Sequence, residues 1–193
     1  HDLWILDDMI YSTLVWNEGG YTSPCEFEGG SVRTVTIGGW SKGWAMTGWR
    51  LGCITASPQV MDGVKKINVS SATHVATFLM PAAETALGLT QELEVMNESF
   101  RNRRTIAHEA FSSLPGVVVP EPEGAFYILC DITGTGMTDI EFATLALEEA
   151  QVQVIPGSLM KGGEGLIRVS YATSLENIHE GVKRLKEWLE NRT

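Results

Sequence analysis

A short apolar run lies near the start of the chain, where residues 3–6 (Leu-Trp-Ile-Leu) stop at the acidic pair Asp7 and Asp8. A continuous apolar run of this length is typical of a strand that is covered on both faces in a parallel sheet. Two more β-rich runs follow at residues 32–37 and 51–56. The first sixty residues therefore predict an α/β fold with a mostly parallel sheet.

Helical signals follow the third run. Ser57 and Pro58 suit an N-cap and a first helical position, and residues 64–89, rich in Ala, Ser and Thr, predict further helix. Thr90 is the predicted start of a long helix with apolar residues at helical spacing, and Pro115-Gly116 is its predicted end.

The last eighty residues predict a compact α+β unit. Capping boxes at Thr138 with Glu141 and at Thr173 with Glu176 predict two helix starts. Four short β-rich runs are the predicted strands: 117–119, 125–130, 152–155 and 166–170. The last helix is predicted to bury one apolar stripe: Ile178, Val182, Leu185 and Leu189.

Charge and cysteine content exclude several classes of protein. A net charge of −10 leaves no basic face for nucleic acid or for an anionic membrane surface. Three widely spaced cysteines form no CxxC pair, so neither disulfides nor a zinc or other metal site is predicted; Cys53 and Cys130 are expected in the core. No apolar run is long enough for a membrane span, and a reducing cytoplasm is the predicted compartment.

The most unusual stretch is residues 39–52, a Gly-rich segment between two predicted strands with Lys42 and Arg50 eight residues apart. Small residues allow a ligand to approach the backbone, arginine offers a planar fork for phosphate, and a buried lysine can have a lowered pKa. It lacks the Gly-Lys-Ser/Thr of a phosphate-binding Walker loop. From the residues alone, an exposed turn is the more frequent interpretation of such a segment.

The same stretch reads Ser-Lys-x-x-x-Met-Thr-Gly-Trp-Arg-x-Gly, which closely resembles the cofactor-attachment motif of class I aminotransferases of fold type I. The resemblance implies that Lys42 forms the Schiff base with pyridoxal 5'-phosphate and that Ser41 and Arg50 bind its phosphate. The family usually has Ser three residues before the lysine, and here that position is Gly39. One phosphate hydrogen bond of the family is therefore expected to be missing.

Further matches follow in the family's order along the chain. Asp8 and Tyr11 resemble its Asp-x-x-Tyr, which implies that Asp8 pairs with the pyridine nitrogen and that Tyr11 binds the cofactor's ring oxygen. Residues 122–127 and 156–158 resemble its Pro-x-Gly-Ala-Phe-Tyr and Pro-Gly-Ser segments. Arg168 occupies the strand whose arginine binds the substrate α-carboxylate. Without the resemblance, Asp8 could cap a strand, Tyr11 could be a packing residue and Arg168 a surface charge.

The resemblance implies that residues 1–92 form the C-terminal part of a cofactor-binding large domain and that residues 93–193 form a small α+β domain. It implies amino-group transfer between an amino acid and a 2-oxo acid by a homodimer, or by this chain paired with a missing N-terminal half. The sequence opens at His1 and lacks the family's phosphate turn, stacking aromatic residue and Asn-Pro-x-x-Pro-Thr-Gly motif. A fragment, a trimmed chain or a processed chain is therefore expected, nearly silent alone and associating through an unpaired sheet edge.

Three functional hypotheses remain open at this point. The first is an aminotransferase present as a C-terminal half. The second is a pyridoxal-phosphate-dependent lyase on the same fold, because fold alone does not specify the reaction. The third is a truncated, non-catalytic remnant that binds the cofactor or a partner without turnover. The amino-acid substrate is not predicted, because side-chain specificity in this family rests largely on the N-terminal half.

Overall fold

The structure, a computed structural model, describes residues 1–192 and divides the chain into two compact units. The first unit is His1–Asn97 and the second begins at Glu98, so the division falls within helix α3 (Thr90–Ser112). The domain assignment of 1–92 and 93–193 stays a prediction. Within the described residues, no helix combines the length and apolar character that crossing a bilayer requires.

The first unit contains a three-stranded sheet in the order β1-β2-β3. Its strands are β1 (Ile5–Asp8), β2 (Thr34–Gly39) and β3 (Gly52–Thr55). Strands β1 and β2 are parallel, whereas β3 runs antiparallel to β2. The first strand starts two residues later than the apolar run and includes both aspartates, because its ladder with β2 extends as far as the pairing of Asp8 with Ile37.

The expectation that residues 3–6 are covered on both faces is wrong. Leu3, Trp4 and Leu6 are 65%, 62% and 68% exposed, and Cys53, expected in the core, is exposed on β3. The physical reason is the sheet order, because β1 and β3 are both edge strands among the described residues. The first unit therefore presents an apolar surface around β1.

Two helices and a left-handed turn follow the first sheet. Helix α1 (Pro58–Ser70) begins where predicted, but the helical segment predicted for 64–89 is interrupted before α2 (Met80–Leu87). Thr73 has a φ of 62° at the interruption. Its N–H donates to Asn68 O at 2.7 Å, and Asn68 Nδ2 donates to Thr73 O at 2.9 Å. This pair of hydrogen bonds ends the helix in a turn that periodicity could not reveal.

The second unit contains an antiparallel sheet in the order β4-β6-β5. Its strands are β4 (Tyr127–Asp131), β5 (Ile155–Pro156) and β6 (Leu166–Ser170), and its further helices are α4 (Asp139–Glu148) and α5 (Leu175–Glu190). Strand β6 matches its prediction residue for residue. The run 117–119 forms only a bridge between Val118 and Asp131, and the run 152–155 gives way to the two-residue strand β5.

Of the two predicted capping boxes, the one at Thr138 is confirmed in its N-cap. Thr138 accepts a hydrogen bond from the backbone N–H of Glu141 at 3.2 Å and caps α4. The prediction that Thr173 caps the last helix is wrong, because α5 starts one residue later than expected. Ser174 is its N-cap and accepts from Asn177 N at 3.2 Å.

The two units differ in the extent of their cores. In the first, few hydrophobic residues are buried: Leu14, Leu51, Ala83 and Ala86. In the second, buried residues come from the sheet and from α3, α4 and α5, and the predicted stripe of α5 is confirmed: Ile178, Val182, Leu185 and Leu189. Cys130, with no exposed surface, belongs to this core, where burial raises the pKa of its thiol to about 12.

Two glycines in the second unit approach each other so closely that neither tolerates a side chain. A Cβ on Gly157 would lie 2.0 Å from Gly163 O, and a Cβ on Gly163 would lie 2.3 Å from Gly157 O. We expect Gly157→Ala to lower the free energy of unfolding by about 1–3 kcal/mol, since both neighbours are backbone atoms that must shift. Urea titration followed by circular dichroism measures the change.

Gly181→Ala is the matched control for that substitution. Gly181 lies within α5 and a Cβ there would meet no atom within 4 Å. Alanine should raise the free energy of unfolding by about 0.5–1 kcal/mol, because it loses less backbone entropy on folding. Equal stability of the Gly157→Ala variant and the parent chain would contradict the close packing of the two glycines.

Candidate active site

The ends of β1 and β2 bring two of the predicted site segments to one edge of the sheet. Asp8 is the last residue of β1 and pairs with Ile37, two residues before β2 ends at Gly39. Met9 N then donates to Ile37 O at 2.9 Å. Because parallel strands end at the same edge, Asp8 and the segment that leads into Lys42 are neighbours.

The turn that carries Tyr11 lies against the loop that carries Lys42. Leu14, which has no exposed surface, anchors the turn, and its N–H donates to Tyr11 O at 2.8 Å. A Cβ on Gly43 would lie 2.3 Å from Thr13 Oγ1, so the loop passes directly over the turn. Tyr11 and Lys42 are both half-buried.

The segment between β2 and β3 closes on itself by backbone hydrogen bonds. Trp40 N donates to Leu51 O at 3.3 Å, and Met46 N donates to Trp40 O at 3.2 Å. Ala45 N donates to Lys42 O at 3.3 Å. A single closed loop therefore holds Ser41, Lys42 and Arg50.

Two tryptophans tie this loop to α2. Trp40 Nε1 donates to Ala83 O at 3.0 Å, and Trp44 Nε1 donates to Ala86 O at 2.8 Å. The rings of Trp40 and Trp44 lie 6.4 Å apart, and both side chains are half-buried. The apolar rings and their indole N–H groups together fix the loop to a helix end.

The loop also contains backbone strain. Ala45 and Arg50 have φ values of 53° and 56°, in the left-handed region that non-glycine residues rarely adopt. Each such residue costs on the order of 1–3 kcal/mol, and strain of this kind concentrates at binding and catalytic sites. Arg50 Nη1 donates to Thr47 O at 2.9 Å, and the residue is exposed, so its remaining donors are accessible to an anion.

Close packing around position 39 explains why this chain has glycine there. A Cβ there would lie 3.0 Å from Leu51 O and 3.1 Å from Ile10 Cδ1. Serine at this position would need both neighbours to shift by a few tenths of an ångström. The close approach of Leu51 and Ile10 to β2 therefore accounts for glycine where the sequence pattern leads one to expect serine.

Sequence reasoning missed the role of Asp7, which it had treated only as the end of an apolar run. Asp7 is only 9% exposed and accepts hydrogen bonds from the hydroxyls of Tyr21 and Ser23, the latter at 2.8 Å. Burial, followed by the hydrogen bond to Asp7 and its negative charge, raises the pKa of Tyr21 to about 12. Two hydroxyl residues in the polar loop 17–31 were the available signal, but the sequence does not specify which carboxylate they meet.

Arg168 belongs to the second unit, where it lies on the central strand of the sheet. Leu129 and Ile155 are its partners across β4 and β5. Its guanidinium carbon lies 4.8 Å from the centre of the Tyr127 ring, and the side chain is half-buried. Ile167, the preceding residue, points to the opposite face and is 1% exposed, so Arg168 projects from the face away from the core.

The family model for aminotransferases of class I and II matches residues 1–185. The chain belongs to this family. The chain is 36% identical over 193 residues to an aspartate aminotransferase of Pyrococcus abyssi, covering 98% of this chain and 49% of that protein. It is also 36% identical to an aromatic-amino-acid aminotransferase of Thermococcus litoralis, covering 100% of this chain and 50% of that protein.

Solved aminotransferase structures share the fold. The aromatic aminotransferase of Pyrococcus horikoshii superposes with a TM-score of 0.93 at 35% identity, over 100% of this chain and 52% of that one. The aspartate aminotransferase of Thermotoga maritima superposes with a TM-score of 0.89 at 33% identity, over 98% of this chain and 48% of that one. The predicted fold class, fold type I, is confirmed. The chain spans about half the length of the relatives that it matches and corresponds to their C-terminal half.

Proposed function

We propose that this aminotransferase chain takes part in transferring an amino group between an amino acid and a 2-oxo acid, with pyridoxal 5'-phosphate attached to Lys42 Nζ. The observation that carries the proposal is the convergence of Asp8, Tyr11, Ser41, Lys42 and Arg50 on one closed loop and one sheet edge. This cofactor, when bound, acts as an electron sink that stabilises negative charge at the substrate's Cα.

Lys42 has two roles in the proposal. It would anchor the cofactor covalently, and its free amine would act as a general base that accepts the proton from the substrate's Cα. A general base must lie within hydrogen-bond reach of that proton. The short loop around Lys42, tied to α2 through Trp40 and Trp44, supports this role because it limits the movement of the lysine backbone.

Asp8 and Tyr11 are proposed to hold the two sides of the cofactor ring. A carboxylate at the end of β1 stabilises the protonated pyridine nitrogen by its charge. The phenol of Tyr11 would donate a hydrogen bond to the ring oxygen of the bound cofactor. Their positions at the sheet edge beneath the Lys42 loop support both assignments.

The residues present also fit the cofactor's phosphate. Arg50 is exposed and uses one N–H group on Thr47 O, which leaves donors for two phosphate oxygens. The left-handed conformation of Arg50 supports a binding role, because a strained backbone is retained where it serves a site. Ser41, in the same closed loop, is proposed as the second donor.

The partner and compartment assignments belong to the proposal as well. Leu3, Trp4 and Leu6, within and just before the edge strand β1, are each more than half exposed, and clustered apolar exposure of this kind marks a partner surface. We propose that the N-terminal half of an aminotransferase covers this surface, in a homodimer located in the cytoplasm. Because the missing half would supply further cofactor contacts, the 193 residues alone should turn over slowly.

The test is an amino-transfer assay on the chain alone and after co-expression with the N-terminal half of a family member. With L-aspartate or L-phenylalanine and 2-oxoglutarate, the assembled protein should form glutamate and the donor's 2-oxo acid in equal amounts. Ammonia released without glutamate would overturn the proposal and indicate a lyase. Cofactor binding without any turnover in the assembled protein would indicate a non-catalytic remnant.

We expect Arg50→Lys to weaken cofactor retention by about tenfold to a hundredfold, which corresponds to one charge-assisted hydrogen bond. Lysine keeps the charge but loses the planar fork that meets two phosphate oxygens. Equilibrium dialysis against pyridoxal 5'-phosphate measures the affinity. Arg33→Lys is the control, because Arg33 is half-exposed and pairs with Asp2 at 2.7 Å on the surface; equal retention by both variants would contradict the role of Arg50.

A further inference from the structure

Five side chains in the second unit form a row in which three aromatic rings lie between two arginine guanidinium groups. Its members are Arg103, Phe100, Phe126, Tyr127 and Arg168. The guanidinium of Arg103 lies 5.2 Å from the centre of the Phe100 ring, and that ring stacks on Phe126 at 5.6 Å. The ring centres of Phe126 and Tyr127 are 4.8 Å apart, and the guanidinium carbon of Arg168 lies 4.8 Å from the centre of the Tyr127 ring.

The contact between Tyr127 and Arg168 follows from strand register. In the antiparallel pair of β4 and β6, Leu129 is opposite Arg168 and Tyr127 is opposite Ser170. All four side chains therefore share one face of the sheet, and Tyr127 is a diagonal neighbour of Arg168, which is within reach of an aromatic ring. A guanidinium carbon at 4.8 Å from the ring centre is within the range of a cation–π contact.

The Tyr127 ring is itself fixed by the turn before β4. Ala125 has a left-handed φ of 57°. Tyr171, only 1% exposed, donates its hydroxyl to Ala125 O at 2.8 Å and its N–H to Phe126 O at 3.0 Å. Both carbonyl groups of the strained turn are therefore held by one buried residue, which sets the direction in which the two following rings leave the backbone.

We propose that Tyr127 is a positioning residue that holds the Arg168 guanidinium ready for a substrate carboxylate, an inference that rests on the proposed role of Arg168. A guanidinium over a ring face keeps its N–H donors in its own plane, where a carboxylate can accept two of them. An unrestrained arginine side chain populates many rotamers. Ordering it when the substrate binds costs conformational entropy, which weakens substrate binding. The ring removes this cost before the substrate arrives.

The first test compares Tyr127→Leu with Tyr127→Phe in the assembled, active protein. Leucine keeps an apolar residue on the strand but removes the π face, and we expect it to raise KM for both the amino acid and the 2-oxo acid about fivefold, the fold-change expected for one partly exposed cation–π contact. The turnover number should change less than KM, because substrate binding and not the chemistry is affected. Phenylalanine should restore KM.

The second test needs no turnover and applies to the full chain even if Tyr127→Leu folds poorly. The Nε–H resonance of Arg168, assigned by its loss in Arg168→Lys, should be shifted upfield by the ring current of Tyr127. It should move on titration with succinate, a dicarboxylate that cannot donate an amino group. A resonance at the ordinary arginine position in the parent chain would overturn the stacked arrangement.

The remaining outcomes separate this inference from the proposed function. A KM for Tyr127→Phe as high as that for Tyr127→Leu would overturn the role of the ring in favour of the hydroxyl. An unchanged KM for Tyr127→Leu, in a protein whose Arg168→Ala variant binds substrate poorly, would overturn the positioning role alone. An upfield Nε–H resonance whose chemical shift does not change on titration with succinate would instead overturn the assignment of Arg168 as the carboxylate site.

Discussion

Replacing Lys42 with alanine is expected to lower amino-group transfer by at least about 10³-fold, because the variant loses both the covalent anchor and the general base. The measurement is the rate of glutamate formation by the assembled protein. Reduction with borohydride in the presence of pyridoxal 5'-phosphate, followed by peptide mapping, locates the attached cofactor. In the parent protein the label should lie on the peptide that contains Lys42.

Lys65→Ala is the matched control for this experiment. Lys65 lies in the same unit, on α1, where its exposed side chain is 3.9 Å from Asp62. Its loss should leave turnover unchanged, because an exposed ion pair of this kind contributes little. A label on Lys65 or on Lys161 of the second unit in place of Lys42 would show that the anchoring residue is misassigned.

Replacing Arg168 with alanine should raise KM for amino acid and 2-oxo acid together, by about 10²- to 10³-fold, the loss expected when one partner of a hydrogen-bonded charge pair is removed. Cofactor retention should be unchanged, because Arg168 is assigned to the substrate and not to the cofactor. Steady-state kinetics with each substrate varied, together with the absorbance of the bound cofactor, measure the two properties separately.

Arg184→Ala is the control for Arg168→Ala. Arg184 lies on α5 in the same unit and pairs with Glu180 at 2.8 Å, one turn away on the helix surface. It should leave both KM values unchanged. If Arg168→Ala lost the bound cofactor before any substrate was added, the assignment of Arg168 to the substrate carboxylate would be wrong.

The sequence identified the features that depend on neighbouring residues. The residues from Trp40 to Leu51 form one closed loop, so a contiguous motif was enough to place Ser41, Lys42 and Arg50 together. Asp8 and Tyr11 are three residues apart on one strand end and turn, and strand β6 around Arg168 has an uninterrupted β-rich pattern. Both the family and the fold type could therefore be predicted, although the roles of these residues stay predictions.

Features that depend on contacts between distant residues were missed. Asp7 meets Tyr21 and Ser23, which are 14 and 16 residues away, and no periodicity encodes that pairing. The turn at Thr73 depends on the side-chain amide of Asn68, within a segment whose composition alone favours helix. Exposure of residues 3–6 reflects the place of β1 at a sheet edge, which the local pattern cannot report.

A saturation mutagenesis library of this chain could identify functional side chains at the non-glycine residues that have a left-handed backbone conformation. Five such residues occur among the described part of the chain: Ala45, Arg50, Thr73, Ala125 and Gln151. Glycine adopts this conformation without the Cβ penalty, so it should be enriched by selection for stability wherever the side chain has no other task. Positions at which selection for activity depletes glycine, despite that advantage, are the ones whose side chains have been retained for chemistry.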